Sequence, residues 1–156
     1  MYAIAYFNEK VKGTVYFTQS SPDAKVFINV HLSGLRPSHL HGFHIHEFGD
    51  LSEGCKSMRA HFNPYGKKHG GPKDEKCCRH VGDLGNIRTD AMGNANYRFS
   101  DSLISLCRAK CNIVGRGLVI HDETDDLGKG DNEESLITGN SGKRIAGAVI
   151  GHCYKR

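Results

Sequence analysis

Apolar and polar residues alternate along much of this chain with a period of two. Lys25-Val26-Phe27-Ile28-Asn29-Val30-His31-Leu32 is the clearest case, with Val26, Ile28, Val30 and Leu32 on one face, as on a β-strand. Residues 2–7 and 11–17 read as a first hairpin, with Gly13 expected as a bulge. A turn at 33–38, marked by Gly34 and Pro37, leads into a strand at 41–47. Residues 83–89 and 95–100 form two short strands joined through Asp90-Ala91-Met92-Gly93-Asn94. Residues 103–106 are short and ambiguous, 115–121 are strand-like, and 146–151 close the chain. No segment keeps a helical period over three turns. About eight strands separated by turn signals predict an all-β fold, an antiparallel sandwich or barrel.

Two stretches, 48–82 and 122–144, show no strand of their own. Structureless loops longer than about 12–15 residues are uncommon in compact domains and are usually functional. With no internal repeat and no boundary, residues 1–156 are expected to form a single domain.

Composition narrows the function. No run of about 18 apolar residues occurs, so no membrane span is expected. The net charge of +4 is spread along the chain rather than gathered into a patch. Arg108 with Lys110, and Lys155 with Arg156, read as solvated ends, so nucleic acid is not an expected partner; a small anionic substrate fits the balance. Met1-Tyr2-Ala3-Ile4-Ala5-Tyr6-Phe7 has no basic n-region and reads as a strand rather than a signal peptide. With no Asn-x-Ser/Thr sequon, this predicts an intracellular, cytoplasmic protein. The six cysteines are read mostly as reduced thiols, because a chain of this length needs no disulfide scaffold.

The chemistry concentrates in His41-Gly42-Phe43-His44-Ile45-His46-Glu47-Phe48-Gly49-Asp50. His44 and His46 share one face of the strand, Phe43 and Ile45 the other. His61, His69 and His80 follow in the first long stretch with Asp83 just beyond, and His121 ends the strand before the second. Imidazoles suit copper and zinc, and a carboxylate completes a tetrahedral zinc site. Six histidines and one aspartate are too many for one four-coordinate ion but suffice for two ions sharing an imidazole. His41 has the parity of Phe43 and is expected to be a hydrogen-bonded structural histidine. His31, His39 and His152 carry no assigned role. Cys77-Cys78 reads as an exposed insertion rather than a source of zinc thiolate.

These segments, together with His61-Phe62-Asn63-Pro64, His69-Gly70-Gly71-Pro72-Lys73-Asp74-Glu75, His80-Val81-Gly82-Asp83-Leu84-Gly85-Asn86, Asp125-Asp126-Leu127-Gly128-Lys129-Gly130 and Asn132-Glu133-Glu134-Ser135, resemble the copper/zinc superoxide dismutases over essentially the whole chain. The resemblance implies an eight-stranded Greek-key β-barrel with two long functional loops, and a copper- and zinc-dependent oxidoreductase. It implies His44, His46, His61 and His121 as copper ligands, and His61, His69, His80 and Asp83 as zinc ligands, with His61 bridging. Asp125 would link His44 to His69, and Arg144 would dock superoxide beside copper. Glu133, Glu134 and Thr138 would shape the field of the channel. A homodimer, with Ile113, Val114 and Ile150 as interface candidates, and a copper chaperone would be partners.

Three features depart from the family pattern, one of them the Cys77-Cys78 insertion, which lengthens the spacing between His69 and His80 while leaving both as expected ligands. Cys55 matches the cysteine that anchors the first loop by a disulfide, but the usual partner position aligns with Gly147. Either the loop is held without that bridge or Cys55 finds another cysteine; the reading here is no family-type disulfide. Where relatives often carry a superoxide-attracting lysine stands Ile137, which predicts weaker steering with intact chemistry. The rival readings are a copper-sequestering module, which would need no anion-docking Arg144, and a zinc-structured interaction domain, which would need neither His46 nor His121.

Overall fold

The computed structural model describes residues 1–155; of the terminal Lys155–Arg156 pair, Arg156 lies outside them. The chain forms β1 (Tyr2–Asn8), β2 (Lys12–Thr18), β3 (Val26–Ser33), β4 (Leu40–His46), β5 (Ser52–Cys55), β6 (Asp83–Arg88), β7 (Ala95–Asp101), β8 (Gly117–His121), α1 (Ser135–Thr138) and β9 (Arg144–His152). Every strand except β5 joins one sheet in the order β6-β4-β8-β9-β1-β2-β3-β7, with every pairing antiparallel. The end strands β6 and β7 approach one another, the Tyr97 hydroxyl donating to the Asn86 carbonyl at 3.3 Å, so the sheet curls into a nearly closed barrel. The segments 34–39 and 102–116 pass between strands that are not neighbours in the sheet, the Greek-key pattern.

The period-two faces meet inside the barrel. Ala3, Ala5, Val15, Phe17, Val26, Ile28, Val30, Phe43, Ile45, Leu118, Ile120 and Ile150 are buried in one core. Each large apolar side chain removed from water contributes about 1.5–3 kcal/mol towards holding the sheets together. Ile113 and Ile150, expected at a subunit interface, are both fully buried in this core, and Val114 is half-buried against it. Apolar character alone did not separate core from interface; the parity of Ile150 on β9 puts it on the inner face.

The structure corrects two further expectations, the strandless 48–82 stretch and the Gly13 bulge, while 122–144 has no strand before β9 begins at Arg144. Residues 48–82 hold the short strand β5 and a 3-10 turn at Lys56–Met58, and residues 122–144 hold the single helical turn α1. Ser-Glu-Gly-Cys has no apolar alternation to announce a strand. Gly13 is not a bulge, for it stands in unbroken register opposite Phe7 and Leu32. Its φ of 127° and the His31 carbonyl, which any β-carbon would strike, make it a close backbone approach. The actual irregularities lie between Gly42 and His44 against β6, and between Ile120 and His121 against β9. Bulges re-aim side chains beside functional sites, and both fall on histidines singled out by the sequence.

Candidate metal centre

Strand β4 is buried on both faces. Its inner face packs into the core, and its outer face, carrying Gly42, His44 and His46, lies under the two long loops. The first loop is pinned to the end of β4: Phe62 N–H donates to the Ile45 carbonyl at 2.8 Å and Glu47 N–H to the Ala60 carbonyl at 2.9 Å. This sets His61 opposite His46. Arg116 stacks on Phe62, 3.5 Å from the ring centroid, and donates to the Glu47 carbonyl at 2.7 Å, clamping the same junction.

Each imidazole is oriented by the nitrogen that does not face the centre. His46 Nδ1–H donates to the Arg59 carbonyl at 2.7 Å, and His121 Nδ1–H to the Gly142 carbonyl at 3.1 Å. His44 Nε2–H donates to Asp125 Oδ2 at 2.8 Å. These bonds fix the tautomers and leave lone pairs on the opposite nitrogens. His44 Nδ1, His46 Nε2, His61 Nε2 and His121 Nε2 are buried without a hydrogen-bond partner, and these four residues offer ligand atoms within 4.8 Å of one another. Buried polar atoms ordinarily find partners, so four convergent lone pairs fit a cation.

The other nitrogen of His61 faces a second cluster. His61 Nδ1, His69 Nδ1 and His80 Nδ1 lie 3.0, 3.0 and 3.1 Å from the same oxygen, Asp83 Oδ1. One carboxylate oxygen serving three imidazoles is crowded for hydrogen bonding. The spacing is close to the roughly 3.3 Å edge of a tetrahedron with bonds of about 2.0–2.1 Å, as zinc requires. Asp83 is itself positioned by Gly70 N–H and His80 N–H, which donate to Oδ2 at 3.0 and 2.8 Å. Imidazole nitrogens on one side and three imidazoles plus a carboxylate on the other fit a copper and a zinc ion sharing His61.

Asp125 joins the clusters, one oxygen taking His44 Nε2–H and the other lying 2.7 Å from His69 Nε2. Asn86 brackets its backbone in both directions, at 2.8 and 2.7 Å. Gly139 leaves the space for this bridge: a β-carbon there would run into Asp125 Oδ1 and lie 2.5 Å from His69 Nε2.

Electrostatics divide the histidines. Burial lowers the pKa of His44 and His121 to about 4 and of His61 to about 3, and drives His46 well below its usual value. Burial pulls His69 the same way, but its bonds to Asp125 and Asp83 outweigh it and raise the pKa to about 9. Burial alone would raise the carboxyl of Asp125; the bonds from His44 and His69 win and lower it to about 2. Asp83, also opposed by burial, is held well below the usual carboxylate range by its three histidines.

A cleft of about 450 Å³ opens over the first cluster, lined by His46, His61, His121, Glu134, Ile137, Thr138 and Arg144 among others. Arg144 is half-buried and anchored to the Cys55 carbonyl at 2.8 Å. Glu134 accepts the Thr138 hydroxyl at 2.6 Å at the rim, whereas Glu133 is exposed outside the cleft lining. His41 donates through Nδ1 to the His121 carbonyl at 2.7 Å in the core. His39, given no role from sequence, makes contact through Nε2 with the Asp122 carbonyl at 3.0 Å. Cys77 and Cys78 stand outside both histidine clusters. Sequence reasoning missed Asn86, Arg116 and the carbonyls of Arg59 and Gly142. Asn86 ends the His80-Val81-Gly82-Asp83-Leu84-Gly85-Asn86 motif, whereas a backbone carbonyl leaves no trace in residue identity.

Comparison with known proteins identifies similar chains throughout. Residues 11–150 match the family model for copper/zinc superoxide dismutase (SODC). A superoxide dismutase [Cu-Zn] of Paramecium bursaria Chlorella virus 1 is 60% identical over 150 residues, 96% of this chain and 78% of the viral one. A superoxide dismutase [Cu-Zn] of Cryptococcus neoformans var. grubii is 52% identical over 141 residues, 90% of each chain. Among solved structures, the crystal structure of the clock protein EA4 superposes with a TM-score of 0.89 at 44% identity, covering 96% of this chain and 93% of the other.

Proposed function

Since the chain belongs to the copper/zinc superoxide dismutase family, an oxidoreductase family that turns superoxide into dioxygen and hydrogen peroxide, we propose the following assignment of its residues. His44, His46, His61 and His121 hold copper, and His61, His69, His80 and Asp83 hold zinc. Copper supplies one-electron chemistry by alternating between Cu(II) and Cu(I), while zinc is redox-silent and structural. Two superoxide ions and two protons become one dioxygen and one hydrogen peroxide.

The residues do the rest. Arg144 stays protonated and docks the small anion in the cleft beside His46, His61 and His121. His61, whose Nε2 faces the cleft, takes up and hands on a proton to the reduced product. Asp125 orients His44 and His69. Glu134 and Thr138 shape the rim, and Glu133 adds to the field from outside it. The observation that carries the assignment is the convergence of four unpartnered imidazole nitrogens in a cleft that also holds Arg144. A copper-sequestering module would have no use for a cation facing that cleft.

The proposal extends to residues 1–156 as one cytoplasmic domain. It further includes a homodimer formed through the exposed apolar Leu51, Ile145 and Val149, which border a common surface cleft. A copper chaperone is included as the source of copper; full loading by copper and zinc salts alone would remove that partner. The test of the main reading is superoxide disappearance in protein of determined metal content. The expected rate approaches the diffusional ceiling of about 10⁸–10⁹ M⁻¹s⁻¹, and Arg144→Gln keeps its copper while losing most of that rate. A fully metallated protein with no activity would sink the assignment.

A further inference from the structure

Among the described residues, one group of ligand-type side chains lies apart from the histidine clusters: Glu75, Cys77 and Cys78. Adjacent residues on an extended chain point to opposite faces. Here Cys78 N–H donates to the Glu75 carbonyl at 2.8 Å and closes a four-residue turn. The turn brings the two sulfurs within 3.2 Å of each other and Cys77 Sγ within 3.5 Å of Glu75 Oε2. Both feet of the turn are fixed. Gly71 N–H donates to Asp74 Oδ2 at 2.7 Å on one side, and the buried pair of Arg79 with Asp101 closes at 2.6 Å on the other. The donor side chains nevertheless stand in solvent.

The donor set is of a different kind from that of the histidine centre. Two sulfurs and a carboxylate favour soft, thiophilic ions, whereas imidazoles suit zinc and copper without preference for the monovalent state. Sulfurs sharing one ion with bonds of about 2.3 Å stand roughly 3.8 Å apart, a small outward rotation from the observed separation. Exposed Lys73 and Lys76 on the same loop offset the negative charge of a dithiolate.

We propose that Cys77 and Cys78, assisted by Glu75, form a surface site for one thiophilic metal ion of the Cu(I) class, separate from the imidazole centre. On binding, each S–H bond gives its proton to solvent as a sulfur–metal bond forms, with no change in oxidation state.

The test uses the full chain with its imidazole centre already filled. Cu(I) is titrated anaerobically against bathocuproine disulfonate, comparing the parent with Cys77→Ser/Cys78→Ser and with Cys107→Ser, a control for another exposed thiol. One additional equivalent of Cu(I) per chain, with sulfur neighbours in its X-ray absorption spectrum, is expected in the parent and the control and lost in the double variant. Superoxide removal by the double variant is expected to equal that of the parent. Equal Cu(I) retention in the double variant, no extra Cu(I) in the parent, or preference for Zn(II) over Cu(I) at the extra site would each overturn the proposal. A loss of superoxide removal in the double variant would overturn the separateness of the two sites.

Discussion

Cys55, at the end of β5, turns its sulfur towards the backbone of Gly147 in β9, so closely that a β-carbon on Gly147 would lie 2.7 Å from Cys55 Sγ. The six cysteines are all free thiols in the structure. The first long loop is held here by other means. Arg144, on the same strand as Gly147, donates to the Cys55 carbonyl at 2.8 Å, and Met58 is wholly buried beneath the loop. Because Arg144 also lines the cleft, the loop anchor and the residue proposed to dock the anion are one side chain.

Gly147→Cys therefore restores a cross-link between β5 and β9. The new sulfur meets Cys55 across a gap already short enough for bonding, with Met58 yielding a few tenths of an ångström. Closing a loop of this length stabilises by about 2–4 kcal/mol where the geometry is unstrained. The oxidised variant is expected to titrate one fewer reactive thiol than the parent and to unfold at a higher temperature, with the gain abolished by reductant. A count of one thiol more than the parent would show that the strands cannot close the bond.

Ile137 is half-exposed on the cleft wall, where a cation would face the approaching anion. Ile137→Lys adds that cation without touching any histidine. The rate of superoxide removal is expected to rise by about twofold at low ionic strength and to converge with the parent above ~0.15 M salt, where the Debye length falls to about 8 Å. Stopped-flow rates across a salt series make the comparison, and a salt-independent difference would remove electrostatic steering as the cause.

The strands of the barrel were legible because one-sided burial writes a period of two into Val26, Ile28, Val30 and Leu32. The histidines were legible because donor residue types at strand and loop spacing are rare by accident. What escaped is what residue type does not encode. Gly13 as a bulge and Gly13 as a close approach demand the same amino acid, and only register separates them. The short β5 lies outside the eight-stranded sheet and lacks an apolar face. Ile113 and Ile150 show the same limit, since a core and an interface both call for isoleucine.

Asp125 reaches across both clusters, so its removal should free two imidazoles at once. Asp125→Ala leaves His44 Nε2 and His69 Nε2 without their acceptor in a buried setting. Metal affinity is expected to fall by about 10–100-fold, as for other residues that orient ligands. Competition with a chelator, read separately for copper and zinc, checks this. A loss confined to zinc would mean that His44 is held in place by its surroundings without Asp125.

The metal-free protein should be most stable near pH 6.5, and the sign follows from the histidines. His44, His61 and His121 titrate at about 4, 3 and 4 when folded, below the ordinary 6.5 of an unfolded chain. Between these limits the unfolded chain binds more protons, so stability falls as pH drops from 6.5 towards 4. His69 acts oppositely: its folded pKa of about 9 makes its contribution complete below pH 6.5 and lost as pH rises through 9. His46, also driven below its usual value by burial, adds a fourth group on the acid side against one on the alkaline side, so the acid limb should be the steeper. Thermal unfolding of chelator-treated protein from pH 4 to 9 measures both limbs, and a midpoint that does not move between pH 6.5 and 4.5 would contradict the burial of neutral imidazoles at this centre.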